Sequence, residues 1–184
     1  TTRLVQQAAE CARRAGCEMV IALGGGSVLD AGKILAALLT NTGDVFDYLE
    51  VVGRGLPLIE RPVPFVALPT TAGTGTEATK NSVLRSVEHG VKASVRSNFL
   101  LPATALVDPE LTYSMPPAVT AATGLDALTQ LIEAYVCRRA NPLTDQLCRE
   151  GIGRIGRALL PAYHKPDDIS AREAMCLASL FSGM

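Results

Sequence analysis

No apolar stretch in this sequence comes near the roughly 20 residues that a membrane-spanning helix requires; the longest, such as residues 34–39, are far shorter. A helical membrane span is therefore excluded, and no membrane partner is expected. An excess of charge of either sign is missing as well, since 17 basic and 18 acidic residues are interspersed for a net charge of -1. Such a chain offers no positive field to a phosphate backbone, so no nucleic acid is expected as a partner. The five cysteines, at 11, 17, 137, 148 and 176, form no C-x-x-C pair and no zinc-ribbon spacing. An odd number cannot all pair within one chain, and they are read as reduced, mostly buried thiols of a cytoplasmic protein. Residues 1–16 lack the apolar core of a signal peptide, and there is neither an internal repeat nor a low-complexity tract. What is there is 48% hydrophobic residues, which excludes disorder and predicts a globular chain with one good core or two small ones.

Helical spacing of Leu4, Val5, Ala8, Ala9 and Ala12, with Gly16 as a stop, predicts a helix over residues 3–15. The apolar run at residues 19–23 ends in three glycines and predicts a strand buried on both faces of a parallel sheet. Helical spacing returns over residues 27–40, and residues 65–68 predict the next buried strand. A hairpin is expected from strands at 82–87 and 91–95 through Glu88, His89 and Gly90, with a last short strand at 105–107. Past Asp108 and Pro109 the pattern is wholly helical, over residues 118–136, 143–160 and 171–184. The expected fold class is α/β. A partial Rossmann-like, parallel-sheet nucleotide-binding domain over residues 1–108 precedes a partial all-helical domain over residues 109–184. Ser170 and Glu173 match a capping box for the last helix. No glycine-led cap follows Met184, so the helix is expected to continue, and the start at Thr1 predicts that something upstream has been removed.

Two loops carry the chemistry of interest. Gly24, Gly25, Gly26 and Ser27 lie between a predicted strand and a predicted helix, where backbone N–H groups and the helix dipole favour an anion such as a pyrophosphate. A side chain there would hold a phosphate away from the backbone. The turn matches neither G-x-G-x-x-G, because position 29 is Leu, nor the P-loop pattern, because Ser27 and Ile34 stand at required positions. On its own it reads equally as a tight turn that lets strand and helix pack closely. The second loop, Pro69-Thr70-Thr71-Ala72-Gly73-Thr74-Gly75-Thr76-Glu77, also follows a predicted strand. Its hydroxyls and glycines offer donors and close backbone approach to a ligand. Two such loops at adjacent strand ends would line the crevice where open α/β sheets bind nucleotides; the plainer alternative is a flexible threonine-rich turn.

Taken in order, GGGSVLDAGK, LPTTAGTGTEAT and TAATGLDALTQLIEAY, with VDPELTYSMPP between the second and third, resemble successive signatures of the iron-containing (group III) alcohol dehydrogenases over most of residues 20–145. The glycine turn is similar to that of glycerol dehydrogenases and dehydroquinate synthases too, whereas the threonine loop and A-T-G-x-D-A-L favour the alcohol dehydrogenase branch. The resemblance implies an oxidoreductase that interconverts a small alcohol and an aldehyde or ketone by hydride transfer with NAD or NADP. It implies a cofactor site of Gly25, Gly26 and Ser27 around the pyrophosphate, Asp30 nearby, and Thr70, Thr71 and Thr74 from the second loop. Lys92 would lie near the ribose or nicotinamide. From the residues alone, Lys92 reads as well as a solvated hairpin charge, and Asp30 with Lys33 as a surface ion pair worth roughly a few tenths of a kcal/mol.

The same resemblance implies a divalent iron, or zinc, that polarises the alcohol oxygen and is held by one Asp and three His. The Asp falls on Asp126. The first His, four residues later on the same helical face, falls on Gln130, a neutral amide weaker than imidazole toward iron or zinc. Glu133 would have to be recruited in its place and reads otherwise as an exposed helix charge; Asp126 reads otherwise as an acid in the first turn of its helix. The remaining histidines would fall beyond residue 184, because His89, on the hairpin, and His164, in a polar loop, read as solvated. A weak or empty metal site is expected, with Asp126 projecting into the same cleft as the two loops.

Three readings stay open. The first is the dehydrogenase, metal-assisted in its full-length form, with this chain alone inactive and a homodimer an open option. The second is a non-catalytic nucleotide-binding fragment or pseudoenzyme, favoured by Gln130. The third is a metal-independent reductase of the maleylacetate reductase type, which matches the threonine loop less well. The family's first nucleotide-binding strands would lie upstream of Thr1, and a core lacking them would expose apolar surface, in line with a mean hydropathy of +0.24.

Overall fold

A computed structural model describes residues 1–184, which fall into two units: Thr1–Leu68 with Thr79–Leu106, and Pro69–Ala78 with Val107–Met184. Sequence periodicity groups the threonine loop with the strands, whereas the structure groups it with the helices.

In the first unit, α1 (Thr2–Arg14) starts at Thr1, whose side chain accepts from the Leu4 N–H. Val5 and Ala9 on its inner face join the core. Arg13 donates to the carbonyls of Leu38 and Asn41 at the end of α2 (Gly26–Thr40), where a cation satisfies orphan carbonyls and complements the helix dipole. β1 (Val20–Gly24) leads into α2. After the short α3 (Val45–Tyr48) a long connection reaches β2 (Phe65–Pro69). Buried Asn41 shapes that connection: its Oδ1 accepts from the N–H groups of Ile59 and Glu60 at 3.0 and 2.9 Å. β3 (Asn81–Ser86) and β4 (Val91–Arg96) form the expected antiparallel hairpin. β5 (Thr104–Ala105) pairs parallel with β2, giving the sheet order β1-β2-β5.

β1 departs from expectation. Val20 and Ala22 are 8% and 5% exposed, but Ile21 and Leu23 on its other face are 60% and 57% exposed. A continuous apolar run says that both faces suit a core and cannot say which of them a neighbour covers.

The second unit is built from α4 (Pro117–Tyr135), α5 (Pro142–His164) and α6 (Ile169–Gly183). Its core gathers Ala127, Leu131, Ile155, Ala158, Met175 and Ala178. Buried Arg172 ties α6 to α4, its Nη1 donating to Thr120 Oγ1 at 3.1 Å and its Nε to the Pro166 carbonyl at 2.8 Å. Three expectations are corrected here. α6 is capped by Asp168, which accepts from the Ala171 N–H at 3.0 Å, so Ser170 lies inside the helix. α5 runs through Pro161 to His164, because burial of Ala158 and Ala162 in the core on either side offsets the backbone bond that the proline forfeits; His164 is therefore on a helix. The cysteines are unpaired, but only Cys148 and Cys176 are buried, since Cys11 lies on the outer side of α1, Cys17 beyond its end and Cys137 just past α4. No helix is long and apolar enough to cross a membrane.

Candidate cofactor and metal site

At the end of β1 the three glycines divide by role. A Cβ on Gly24 would lie 2.7 Å from the Cβ and Cγ2 of Val28, so Gly24 lets the helix fold back close to the strand. Gly25 is the N-cap of α2, at φ -74, and no side chain caps the helix. The first bond back along the chain runs from the Val28 N–H to the Gly25 carbonyl at 2.9 Å, so the N–H groups of Gly26 and Ser27 precede it. Ser27 is exposed. An accessible helix start without a side-chain cap, with the dipole behind it, suits an anion.

One turn further, Asp30 and Lys33 do not form a surface ion pair. Lys33 is 1% exposed, and its Nζ donates to the Thr79 carbonyl at 2.6 Å, Thr79 Oγ1 at 2.8 Å and the Asn81 carbonyl at 3.0 Å. Those three bonds use all the donors of an ammonium. Position 33 falls on the buried stripe of α2 beside Leu29, Ile34 and Ala37, which the i, i+3 spacing to Asp30 conceals. Asp30 is half-buried; its carboxylate accepts from the Val83 N–H and its carbonyl from Ser82 Oγ at 2.8 Å. Burial pushes the Asp30 carboxyl up to about 6, against the opposing pull of the Val83 N–H and the charges of Lys33 and Lys92. Lys92 is exposed on β4, opposite Arg85. A cavity of about 370 Å³ in this unit, lined by Arg61, Pro64, Phe65 and Phe99, includes none of the glycine-turn residues.

In the threonine loop the glycines are closed in by the helices of the second unit. A Cβ on Gly73 would lie 2.5 Å from the Thr123 Cβ and carbonyl oxygen of α4. Gly75 has φ +58, and a Cβ there would lie 2.6 Å from the Gly183 nitrogen and 2.7 Å from the Ser179 carbonyl of α6. Its N–H donates to Ser179 Oγ at 3.3 Å. Both glycines thus serve backbone approach to helices, which corrects the reading that they make room for a ligand. Ala72, Thr76 and Glu77 are buried with them. Thr74 Oγ1 accepts from the Thr76 N–H at 3.4 Å. Thr70 and Thr71 differ: with Glu110, Tyr113, Ser114 and Val119 they line an open cavity of about 640 Å³.

On α4, Asp126 is exposed and Gln130, one turn on, is half-buried, its amide 2.9 Å from Ser182 Oγ of α6. Glu133 is exposed. His89 is exposed too, its Nδ1 bonded to Ser86 Oγ at 2.9 Å, and exposed His164 stands edge-on to Tyr163. Nowhere do three or more His, Cys, Asp or Glu side chains converge as a metal site. The donor set on α4 is one carboxylate and one amide. It has no imidazole and does not fit the histidine-rich iron or zinc site that the sequence resemblance implies.

Two family models match the chain: iron-containing alcohol dehydrogenase over residues 1–109, and the C-terminal part of the Fe-containing alcohol dehydrogenase family over residues 120–184. The chain belongs to the iron-containing alcohol dehydrogenase family. It is 42% identical to alcohol dehydrogenase 4 of Saccharomyces cerevisiae over 91% of its own length and 43% of that protein's. With 1,3-propanediol dehydrogenase of Klebsiella pneumoniae it shares 40% identity over 94% of its length and 43% of the relative's. Its backbone matches the crystal structure of sulfoacetaldehyde reductase from Bifidobacterium kashiwanohense in complex with NAD+ with a TM-score of 0.94 and 39% identity, covering 99% of this chain and 48% of that one. The chain therefore spans somewhat under half the length of these relatives.

In this member of the iron-containing alcohol dehydrogenase family, sequence reasoning missed Ser182 as the partner of Gln130. No local signal marks it, because the two lie 52 residues apart and meet only when α6 packs on α4. It missed the anchoring role of Lys33 as well, for which the apolar neighbours Gly32, Ile34 and Ala36 were the available signal.

Proposed function

We propose that the full-length protein is an NAD(P)-dependent dehydrogenase that interconverts a small alcohol and its aldehyde or ketone. The observation that carries this is the start of α2, accessible and without a side-chain cap, at the end of β1, an arrangement chemically suited to a dinucleotide pyrophosphate. Similarity to a reductase solved with NAD+ supports the same reading. In it, the N–H groups of Gly25, Gly26 and Ser27 hold the pyrophosphate, Asp30 and Lys92 lie near the dinucleotide, and Thr70, Thr71 and Thr74 complete the cofactor-binding set. The glycine turn and the threonine loop serve the dinucleotide, and the helices of the second unit the substrate. When bound, the nicotinamide ring accepts or returns the hydride; this chain's residues bind and orient it. No step is assigned to iron or zinc, because Asp126 and Gln130 are not their ligand set.

The test is to purify the full-length protein and follow reduced-nicotinamide absorbance with short alcohols and aldehydes, using NAD(H) and NADP(H) in parallel. Turnover with at least one pair is expected. Tight dinucleotide binding without turnover on any of them would favour a non-catalytic binding protein, and loss of binding altogether would overturn the reading. Full turnover after exhaustive metal removal would support the metal-independent reductase that the Gln130–Ser182 contact favours.

A further inference from the structure

Asp30 is the sole carboxylate on α2, whose sequence GSVLDAGKILAALLT holds no other acid. It follows Gly26 by four positions, so its side chain shares a helix face with the first residue of α2 and tilts toward the helix start. A pyrophosphate on the Gly26 and Ser27 N–H groups and the Asp30 carboxylate would therefore draw on one helix end. That end is equivalent to roughly half a positive charge, and two anions beside it repel each other.

The carboxylate has little to offset such repulsion. Lys33, one turn on, gives its Nζ to the Thr79 carbonyl, Thr79 Oγ1 and the Asn81 carbonyl, so it acts on Asp30 as a charge and not as a donor. Lys92 of β4 likewise acts through its charge. The other elements against α2 bring no further charge to this end. β1 has no titratable side chain, Arg85 of β3 is exposed, and Arg13 of α1 binds the Leu38 and Asn41 carbonyls at the far end of the helix. Asp30 itself is held in place: its carboxylate accepts the Val83 N–H, and its carbonyl accepts from Ser82 Oγ at 2.8 Å. Half-burial already raises the carboxyl to about 6, where an added neighbouring anion tips it to the neutral form.

We propose that Asp30 couples dinucleotide binding to a proton: its carboxyl takes up one proton from solvent as the pyrophosphate settles on the start of α2 and returns it when the dinucleotide leaves. This rests on the dinucleotide reading of the glycine turn and adds a linkage to it. The neutral carboxyl still accepts the Val83 N–H through one oxygen and gains an O–H donor, whereas the anion has none. Since the bound form holds the proton more tightly than the free form, affinity is highest at low pH, falls as pH rises through about 6 and levels off above the bound-state value.

The experiment uses the full-length protein with NADH, and NADPH in parallel. Calorimetry near about pH 6.5, in buffers of different ionisation enthalpy, counts the protons taken up on binding, and fluorescence titration from about pH 5.5 to about pH 8 gives the affinity profile. Uptake of a sizeable fraction of one proton is expected, with affinity falling by about tenfold across the range, the effect of a one-unit rise in the Asp30 pKa on binding. Asp30→Asn, neutral at every pH and still able to accept the Val83 N–H, should bind with no proton uptake and a flat profile. Dinucleotide binding without proton uptake by the unsubstituted protein, or uptake that persists in Asp30→Asn, would overturn the coupling and leave the dinucleotide assignment intact. No dinucleotide binding at any pH would overturn that assignment, and the coupling with it.

Discussion

Residues 24–27 and residues 69–77 both follow a strand, and both combine glycine with hydroxyl side chains. In the first, one glycine is committed to packing against Val28 and the rest open into a helix start without a side-chain cap. In the second, Gly73 and Gly75 are both closed in, against Thr123 of α4 and against Ser179 and Gly183 of α6. A missing Cβ admits a ligand or another stretch of backbone equally well. Which of them comes close is decided by the residue on the far side, four positions away for Gly24 and about 50 to 110 positions away for the threonine loop, by direct count. The glycine content of the two loops is similar, and their use is opposite.

Disrupting the closed loop should have the largest effect. Gly75→Val places a Cβ at φ +58 and within 2.8 Å of three backbone atoms of α6, combining a left-handed conformation with overpacking against atoms that cannot rotate away. A loss of about 3 kcal/mol or more is expected in denaturant unfolding of the full-length protein. A stable Gly75→Val protein with weakened dinucleotide binding would instead show that this loop's glycine serves a ligand after all. Next in size is Lys33→Met on α2, which would strip donors from the Thr79 carbonyl, Thr79 Oγ1 and the Asn81 carbonyl. About 2 kcal/mol should be lost, the cost of leaving buried acceptors unmet; a change under about 0.5 kcal/mol is what an exposed charge would give and would refute the anchoring role.

The open loop should respond in the opposite sense. Gly26→Val adds a side chain at the first position of α2, where a phosphate would approach the backbone. Dinucleotide affinity of the full-length protein should fall by at least about tenfold, or about 1.4 kcal/mol, with the unfolding midpoint held. Calorimetry showing unchanged affinity would remove residues 25–27 from the cofactor site.

Sequence periodicity located every helix of eight residues or more and the hairpin within a few residues, because apolar spacing records which side of an element is buried. It misjudged β1, whose sequence is apolar on both sides although only Val20 and Ala22 are covered. It misjudged Lys33 for a related reason: a buried lysine looks like a surface one until the three oxygens around its Nζ are placed by β3 and the residues leading into it. For the candidate site, the motifs marked Gly25, Gly26, Asp126 and Gln130. Their surroundings required tertiary structure, because Ser182 meets Gln130 only through the packing of α6 on α4.

Asp30 gives the smallest expected effect and bears on the open loop's own helix. Its carboxyl is raised from 3.8 to about 6, chiefly by burial. Between those values the folded protein keeps a proton that the unfolded chain has released, so stability rises as pH falls through the window. Above about 6 both forms are ionised, and the folded protein bears the full cost of a partly buried charge. Asp30→Asn removes that cost while keeping an oxygen to accept the Val83 N–H. After allowance for partial exposure, the substitution should stabilise the full-length protein by about 1 kcal/mol near about pH 8 and by nothing measurable near about pH 4. Denaturant unfolding at the two pH values measures the difference directly. A pH-independent gain would point to packing as its cause, and a loss near about pH 8 would mean that the charges of Lys33 and Lys92 outweigh burial and that Asp30 is held as an anion at the start of α2.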